Sequence, residues 1–346
     1  MASSPPSKEI DLADLLTHGG NLASARALYP QAPEPWIDLS TGISPYGYPV
    51  EDLSAEVWTR LPDAGALATL LQAARKAYGL QAGDGIAAAS GSQPVLSHLP
   101  QLFGATVVEI LGPTYSEHER SWRVSGAEVR VVGDLDAVGR PDVLVVVNPN
   151  NPDGRLIAPS ALLAMAERLG EYGGRMVVDE AFMDFTPEAS LFSLQRPDNA
   201  LVLRSFGKAY GLAGLRLSFA VGQPDLVSAL RARLGPWPVS GPAMTIGARA
   251  LGDQDWLTDC RDKLAAAGTR LDQILLAADL ETVGGTHLFR LVKHPQMESI
   301  LLKLLSAGVL VRPFSHDPTL IRMGIPSSET QEIRLAKALI SAAPTK

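Results

Sequence analysis

Arg204-Ser-Phe-Gly-Lys-Ala-Tyr-Gly-Leu-Ala-Gly-Leu-Arg216 is the stretch on which the fold turns. The apolar, β-branched run Ala200-Leu-Val-Leu203 feeds into it, which places Ser205 to Lys208 where a strand has just ended. Gly207 and Gly211 bracket Lys208, let the backbone turn tightly and leave space beside the amine. A desolvated amine loses its charge more readily than one in water, so Lys208 is a candidate for covalent attachment to a carbonyl. A lone lysine on a glycine-rich loop is usually a plain surface residue. Here its neighbours argue otherwise.

Upstream, Arg175-Met-Val-Val-Asp-Glu-Ala-Phe182 reads as a buried strand ending in Asp179. Before it, Val143-Leu-Val-Val-Val-Asn-Pro-Asn-Asn-Pro152 is another apolar run, ending in Asn151. Three successive strands thus deliver an amide, a carboxylate and a lysine at their carboxyl ends, where ligands bind in open α/β sheets. Pyridoxal 5'-phosphate is served by such a set: a lysine holds its aldehyde, a carboxylate partners the ring nitrogen, and a donor faces the ring hydroxyl.

Composition supports an enzyme. The 346 residues exceed one typical domain, and 46% hydrophobic with 19% charged residues describes a globular chain. A net charge of −7 without any Lys/Arg run disfavours nucleic acid as partner. The single Cys260 permits no intramolecular disulfide and fits a reducing cytoplasm, which is the expected location. Met1 to Lys8 reads as a frayed tail, not a signal peptide, and no apolar run nears the ~20 residues of a membrane helix.

Along the chain, residues 10–27 predict a helix, a turn at His18-Gly-Gly-Asn21 and a second short helix. Residues 36–40 predict a short strand, and 65–78 an amphipathic helix with Leu67, Leu70, Leu71 and Ala74 on one face. The small-residue strand at 86–90 leads through Gly91-Ser-Gln93 into a helix, a junction that offers free backbone N–H groups to a phosphate. Strands at 106–111, 128–132, 143–147 and 176–178 alternate with helices at 115–124 and 159–169, and 217–221 closes the domain. That alternation predicts a mostly parallel sheet between helical layers. A helix at 224–234 and a long one at 256–278, carrying Leu264, Leu271, Leu275 and Leu276 on one side, lead into a smaller α+β domain. That domain is expected to hold strands at 282–291, 309–312 and 320–323 and helices at 297–307 and 328–342. The expected division is an N-terminal arm (1–49), a large domain (50–250) and a small C-terminal domain (251–346). Glu117-His118-Glu119 reads as a solvated helix face, and no metal site is expected.

The order and chemistry from Tyr115 to Arg322 resemble the fold-type I pyridoxal-phosphate enzymes of aminotransferase class I/II. Five stretches sharpen this: His18-Gly-Gly-Asn21, Asp38-Leu-Ser-Thr-Gly-Ile-Ser-Pro45, Asp179-Glu-Ala-Phe182, Gly284-Gly-Thr-His-Leu-Phe-Arg-Leu291 and Leu310-Val-Arg-Pro-Phe314. With them the chain resembles the histidinol-phosphate aminotransferase branch and, more closely, the threonine-phosphate decarboxylase family of cobalamin biosynthesis. The aminotransferases do not share the His-Gly-Gly-Asn arm.

The resemblance implies a set of roles. Lys208 matches the cofactor-binding lysine, Asp179 the ring-nitrogen partner, Asn151 the donor to the ring hydroxyl and Tyr115 the aromatic stacked on the ring. Gly91, Ser92, Gln93, Ser205 and Arg216 match the cofactor phosphate cradle, and Arg322 the clamp for the substrate α-carboxylate. His18, Gly19, Gly20 and Asn21 are candidates for the substrate phosphate, since glycines admit close approach and a histidine beside a dianion favours its charged form. The implied reaction is decarboxylation of L-threonine O-3-phosphate, with transamination of a phosphorylated amino acid such as histidinol phosphate as the alternative. The implied assembly is a homodimer. Three residues depart from the aminotransferase pattern: Phe182 replaces a tyrosine, as it also does in the decarboxylase branch, Gly207 a hydroxyl residue, and Leu61 a tyrosine that reaches the partner subunit. A non-catalytic module on the same fold fits poorly with the complete lysine, aspartate and arginine set.

Overall fold

The structure is a computed structural model that describes residues 18–194 and 197–340. The first N-terminal helix and the apolar positions Leu12, Leu15 and Leu16 lie outside the described residues. The chain divides into two compact units, Tyr46–Asp262 and a second made of the residues through Pro45 with those from Lys263 onward.

The described chain begins with helix Leu22–Leu28 and strand β1 (Ile37–Asp38). Unit Tyr46–Asp262 is built on seven strands: β2 (Gly85–Ala89), β3 (Val107–Leu111), β4 (Glu128–Val132), β5 (Val143–Val147), β6 (Arg175–Asp179), β7 (Ala200–Ser205) and β8 (Ser218–Gly222). Their order in the sheet is β2-β8-β7-β6-β5-β3-β4. The run from β7 through β6, β5 and β3 to β4 is parallel, and β8 runs antiparallel to both of its neighbours. The sequence explains this topology. Parallel strands covered by helices on both faces must be apolar throughout, and every residue of β5 is buried. Alternate side chains then serve opposite faces. Val143, Val145, Val177, Leu201 and Leu203 join the core beside Trp122, while Leu144, Val146, Met176, Val178, Ala200 and Val202 join the core beside Leu162 and Leu169.

The second unit holds an antiparallel sheet, β12-β13-β10-β9, formed by β9 (Glu281–Thr286), β10 (Phe289–Lys293), β12 (Arg312–Pro313) and β13 (Leu320–Gly324). Beside it β1 pairs in parallel with β11 (Val309–Leu310). Two expected strands are each divided. The run 282–291 turns at His287-Leu288, where Leu288 N donates to Thr286 Oγ1 at 3.0 Å, and becomes a hairpin. The run 309–312 breaks at Val311 because the chain changes partner, from β1 to β13.

Helix Gly241–Gly252 falls where the sequence analysis assigned no element, and its three glycines weaken a helical signal. One of them works in the helix's favour: a Cβ on Gly247 would lie 3.0 Å from Leu70 Cδ1, so its absence lets this helix close on Ala64–Ala77. The long helix spans Gln254–Ala277. Leu264, Leu271 and Leu275 are fully buried, but Leu276 is 79% exposed, which corrects its place in the apolar stripe. One residue beyond Leu275 is about 100° further round the helix. Among the described residues no helix is long and apolar enough to cross a membrane.

Candidate active site

In unit Tyr46–Asp262 the parallel register sets Val147 beside Asp179 and Asp179 beside Leu203. The three predicted strand ends therefore lie side by side at one edge of the sheet.

The asparagines after β5 divide their work. Asn148 exchanges two hydrogen bonds with Ile157, at 3.1 and 2.8 Å. Asn150 Nδ2 donates to the Pro113 carbonyl at 3.0 Å, and its Oδ1 accepts from Thr114 Oγ1 at 2.7 Å. Asn150 thus ties the loop that carries half-buried Asn151 to the loop that carries Tyr115.

Asp179 is buried, with Oδ2 2.9 Å from His118 Nε2 and Oδ1 accepting from Ala181 N at 3.1 Å. His118 belongs to helix Ser116–Val124 and is fully buried, so the expectation of a solvated face at Glu117-His118-Glu119 is corrected. Glu117 is buried too and accepts from Gln93 Nε2 at 3.0 Å, which occupies the side chain of Gln93. The spacing of Tyr115 and His118 carried a signal, because residues i and i+3 share a helix face; their rings meet edge-on at 6.1 Å. His118 Nδ1 has no protein partner. Among the described residues no three His, Cys, Asp or Glu side chains form a metal site.

Lys208 sits in the short helical turn Phe206–Ala209 directly after β7, with Nζ 5.6 Å from the centre of the Phe182 ring. The departure at Gly207 has a packing cause: a Cβ there would lie 2.7 Å from Ala213 Cα. The turn is braced by Tyr210, whose ring stacks on Phe206 at 4.4 Å and on Trp256 at 5.6 Å.

Strand register also assembles the proposed phosphate cradle. Ser205 pairs with Ser218, and Ser218 pairs with Ala89, so Ser205 lies two strands from the start of the Gly91 turn. Gly91 has φ 82° and leads into helix Ser92–Phe103, which has no side-chain cap. Arg216, itself in the left-handed region at φ 52°, lays its guanidinium against Gly91, where any Cβ would run into Nη2. Backbone N–H groups at a helix N-terminus, a guanidinium and a hydroxyl suit a phosphate.

In the other unit, four of the five quoted stretches meet. Gly20 N donates to Ser40 Oγ at 2.7 Å, and Gly19 lies so close to the Ser40 carbonyl that a Cβ would not fit. Ser40 Oγ donates to Asp38 at 2.6 Å, and the Ser40 carbonyl accepts from buried Arg322 Nη2 at 2.9 Å. Phe289 lies 5.1 Å from the Arg322 guanidinium, and Arg312 is its register partner across β12–β13. Burial, and then the charge of Arg312, pulls the Arg322 guanidinium down to about 10. An anion at this position would offset both effects. Asn21 caps helix Leu22–Leu28, its Oδ1 accepting from Ser24 N at 3.3 Å, while His18 is exposed.

The sequence pattern described as Aminotransferase class I and II matches residues 34–339. The chain belongs to that family. Among curated relatives, the threonine-phosphate decarboxylase of Pseudomonas aeruginosa is 39% identical over 333 residues, covering 94% of this chain and 98% of that protein. The histidinol-phosphate aminotransferase of a Geobacter species is 31% identical over 330 residues, covering 89% and 92%. Among solved structures, L-threonine-O-3-phosphate decarboxylase from Porphyromonas gingivalis aligns with a TM-score of 0.72 at 22% identity, covering 88% of this chain and 98% of that one, and shares the fold.

The buried pair at the centre of the edge gives a stability prediction. His118→Leu keeps the volume but leaves Asp179 Oδ2 without its partner, so unfolding free energy should fall by ~1–3 kcal/mol. The check is a thermal melt of both proteins; an unchanged melting temperature would contradict the hydrogen bond.

Proposed function

We propose that this chain is a pyridoxal-phosphate enzyme that decarboxylates L-threonine O-3-phosphate to (R)-1-amino-2-propanol O-2-phosphate, a precursor of the cobalamin linker. The observation that carries the reading is near-full-length similarity to a threonine-phosphate decarboxylase, at higher identity than to a histidinol-phosphate aminotransferase. The Gly91–Arg216 cradle and the donor set around it fit the cofactor.

Lys208 would hold the cofactor's aldehyde, Asn151 its ring hydroxyl, Tyr115 its ring face, and Gly91, Ser92, Gln93, Ser205 and Arg216 its phosphate. Gln93 would act through its backbone, since its side chain is engaged with Glu117. When bound, pyridoxal phosphate supplies an electron sink for the pair released from a Cα bond. Asp179, oriented by His118 Nε2 and Ala181 N, would partner the ring nitrogen and favour its protonated form. Lys208 Nζ would be the group placed to return a proton to Cα.

Which Cα bond is broken would be set by where this chain anchors the substrate's anionic groups. Arg322 takes the carboxylate. Arg312, which the sequence reading did not single out, adds a second cation beside it. His18 and the Gly19 backbone would bind the phosphate, with Gly20 N held by Ser40 Oγ and its small size leaving room for close approach. Asn21 holds the helix behind them, which is a coarser role than a direct contact.

The experiment offers threonine phosphate with and without 2-oxoglutarate and identifies the products by mass. Carbon dioxide release that needs no 2-oxoglutarate is expected; a keto acid formed only with 2-oxoglutarate would establish the aminotransferase alternative instead. In the same assay His18→Ala should lower kcat/KM by the equivalent of ~1.5–3 kcal/mol, as for loss of a charge-assisted hydrogen bond, with an unchanged cofactor spectrum. An unimpaired His18→Ala enzyme would remove that residue's role.

We further propose a cytoplasmic homodimer. Cys260 is buried and forms no disulfide among the described residues, and Trp58, Leu61 and Trp237 are exposed apolar side chains on unit Tyr46–Asp262 that a second copy would cover. Light scattering should give twice the chain mass of 36.7 kDa; full activity from a monomer would contradict it.

A further inference from the structure

Behind the proposed site lies a buried charged group that the reaction does not use. Arg204, the penultimate residue of β7, donates from Nη1 to Glu180 Oε2 at 3.0 Å and from Nη2 to Asp184 Oδ1 at 2.7 Å. All three side chains are almost wholly buried. Glu180 also accepts from Ser190 Oγ at 2.6 Å and from Leu191 N at 2.8 Å. Burial pushes the Glu180 carboxyl up, but three donors and no acceptor face it, the arrangement an ionised carboxylate requires. The Arg204 guanidinium covers the Tyr78 ring at 4.4 Å, which closes the group off from water.

The count of charges is uneven. One guanidinium meets two carboxylates, so with both carboxylates ionised the group carries one net negative charge. Strand alternation sets it on the sheet face opposite to that of Asp179, because Glu180 and Arg204 each follow a residue of the Asp179–Leu203 pair. Lys208 is four residues from Arg204, a span of at most about 14 Å of chain. Tyr210, which braces the Lys208 turn, lies within reach of two of these side chains: burial and then Asp184 push its phenol up, while Arg204 pulls it down.

We propose that Arg204, Glu180 and Asp184 form a charge-setting group whose single net negative charge holds the Lys208 nitrogen in its protonated form. The inference rests on the cofactor reading of Lys208. All three side chains are buried against one another and none is among those proposed for substrate or cofactor; they act on Lys208 through space. For charges about 14 Å apart at an effective dielectric near 20, one unit of charge moves a titration by about one pH unit, and buried charges are little screened by salt. Among the described residues, the other titratable groups near the turn or the charged group include Asp179 with His118, Arg216, Tyr78, Tyr210, and Tyr48 with Asp253. None is altered in the variants below.

Asp184→Asn and Arg204→Lys test this in the holoenzyme. Each disturbs a hydrogen bond of Arg204, so each should lower the melting temperature. Only Asp184→Asn changes the charge, from minus one to zero. The pH midpoint of the visible cofactor absorbance should fall by about half to one unit in Asp184→Asn and stay within about 0.2 unit of wild type in Arg204→Lys. A second reading uses cofactor-stripped protein: the pH dependence of Lys208 acetylation by acetic anhydride, followed by peptide mass, should move the same way. Glu180→Gln makes the same charge change and replaces Asp184→Asn should that variant not fold. Equal shifts in the charge-changing and charge-keeping variants, or an unmoved midpoint in Asp184→Asn, overturn the proposal. A wild type without any visible band refutes the cofactor reading instead, while the acetylation titration still decides the charge effect.

Discussion

Parallel, in-register pairing of β5, β6 and β7 is the constraint on which the rest depends. Three strands that start on the same side of a sheet and pair without slippage must also end together. Whatever follows Val147, Asp179 and Ser205 is then delivered to a single edge. The apolar interior of the strands enforces this, because a slip of one residue would turn each inward side chain to the wrong core. Chemistry at the edge is therefore a consequence of packing within the sheet. Asn150 and His118 refine the arrangement by tying the Asn151 loop, the Tyr115 loop and Asp179 to one another.

The second unit holds the groups proposed for the substrate's anions. Its organising residue is Ser40, which holds Gly20 through its hydroxyl and Arg322 through its carbonyl. Two arginines in register on β12 and β13 would repel in isolation, and burial makes Arg322 costlier still. Such an arrangement is stable when a ligand brings negative charge, which fits a substrate bearing both a carboxylate and a phosphate. The groups proposed for the cofactor thus belong to one unit, and those proposed for the substrate's charges to the other.

Much of this was legible in the sequence. Apolar runs of five residues bounded by loops announce buried parallel strands, and the residues after them announce the site. Elsewhere one-dimensional patterns fell short. Glycine content hid helix Gly241–Gly252, although Gly247 is small for the sake of close helix packing. His118 read as solvated because charged neighbours flank it, and its partner Asp179 is 61 residues away. Arg312 and Arg322 become neighbours only through antiparallel register. The Arg204 group likewise spans three segments, and no local pattern foretells a buried charge imbalance.

The measurement that bears most directly on the account is borohydride reduction of the purified protein, followed by peptide mapping of the fixed cofactor. The account predicts one modified residue, Lys208, in the turn after β7. Reduction that attaches pyridoxal phosphate to a different lysine, or to none, would contradict the central claim that the strand ends at this edge hold the cofactor.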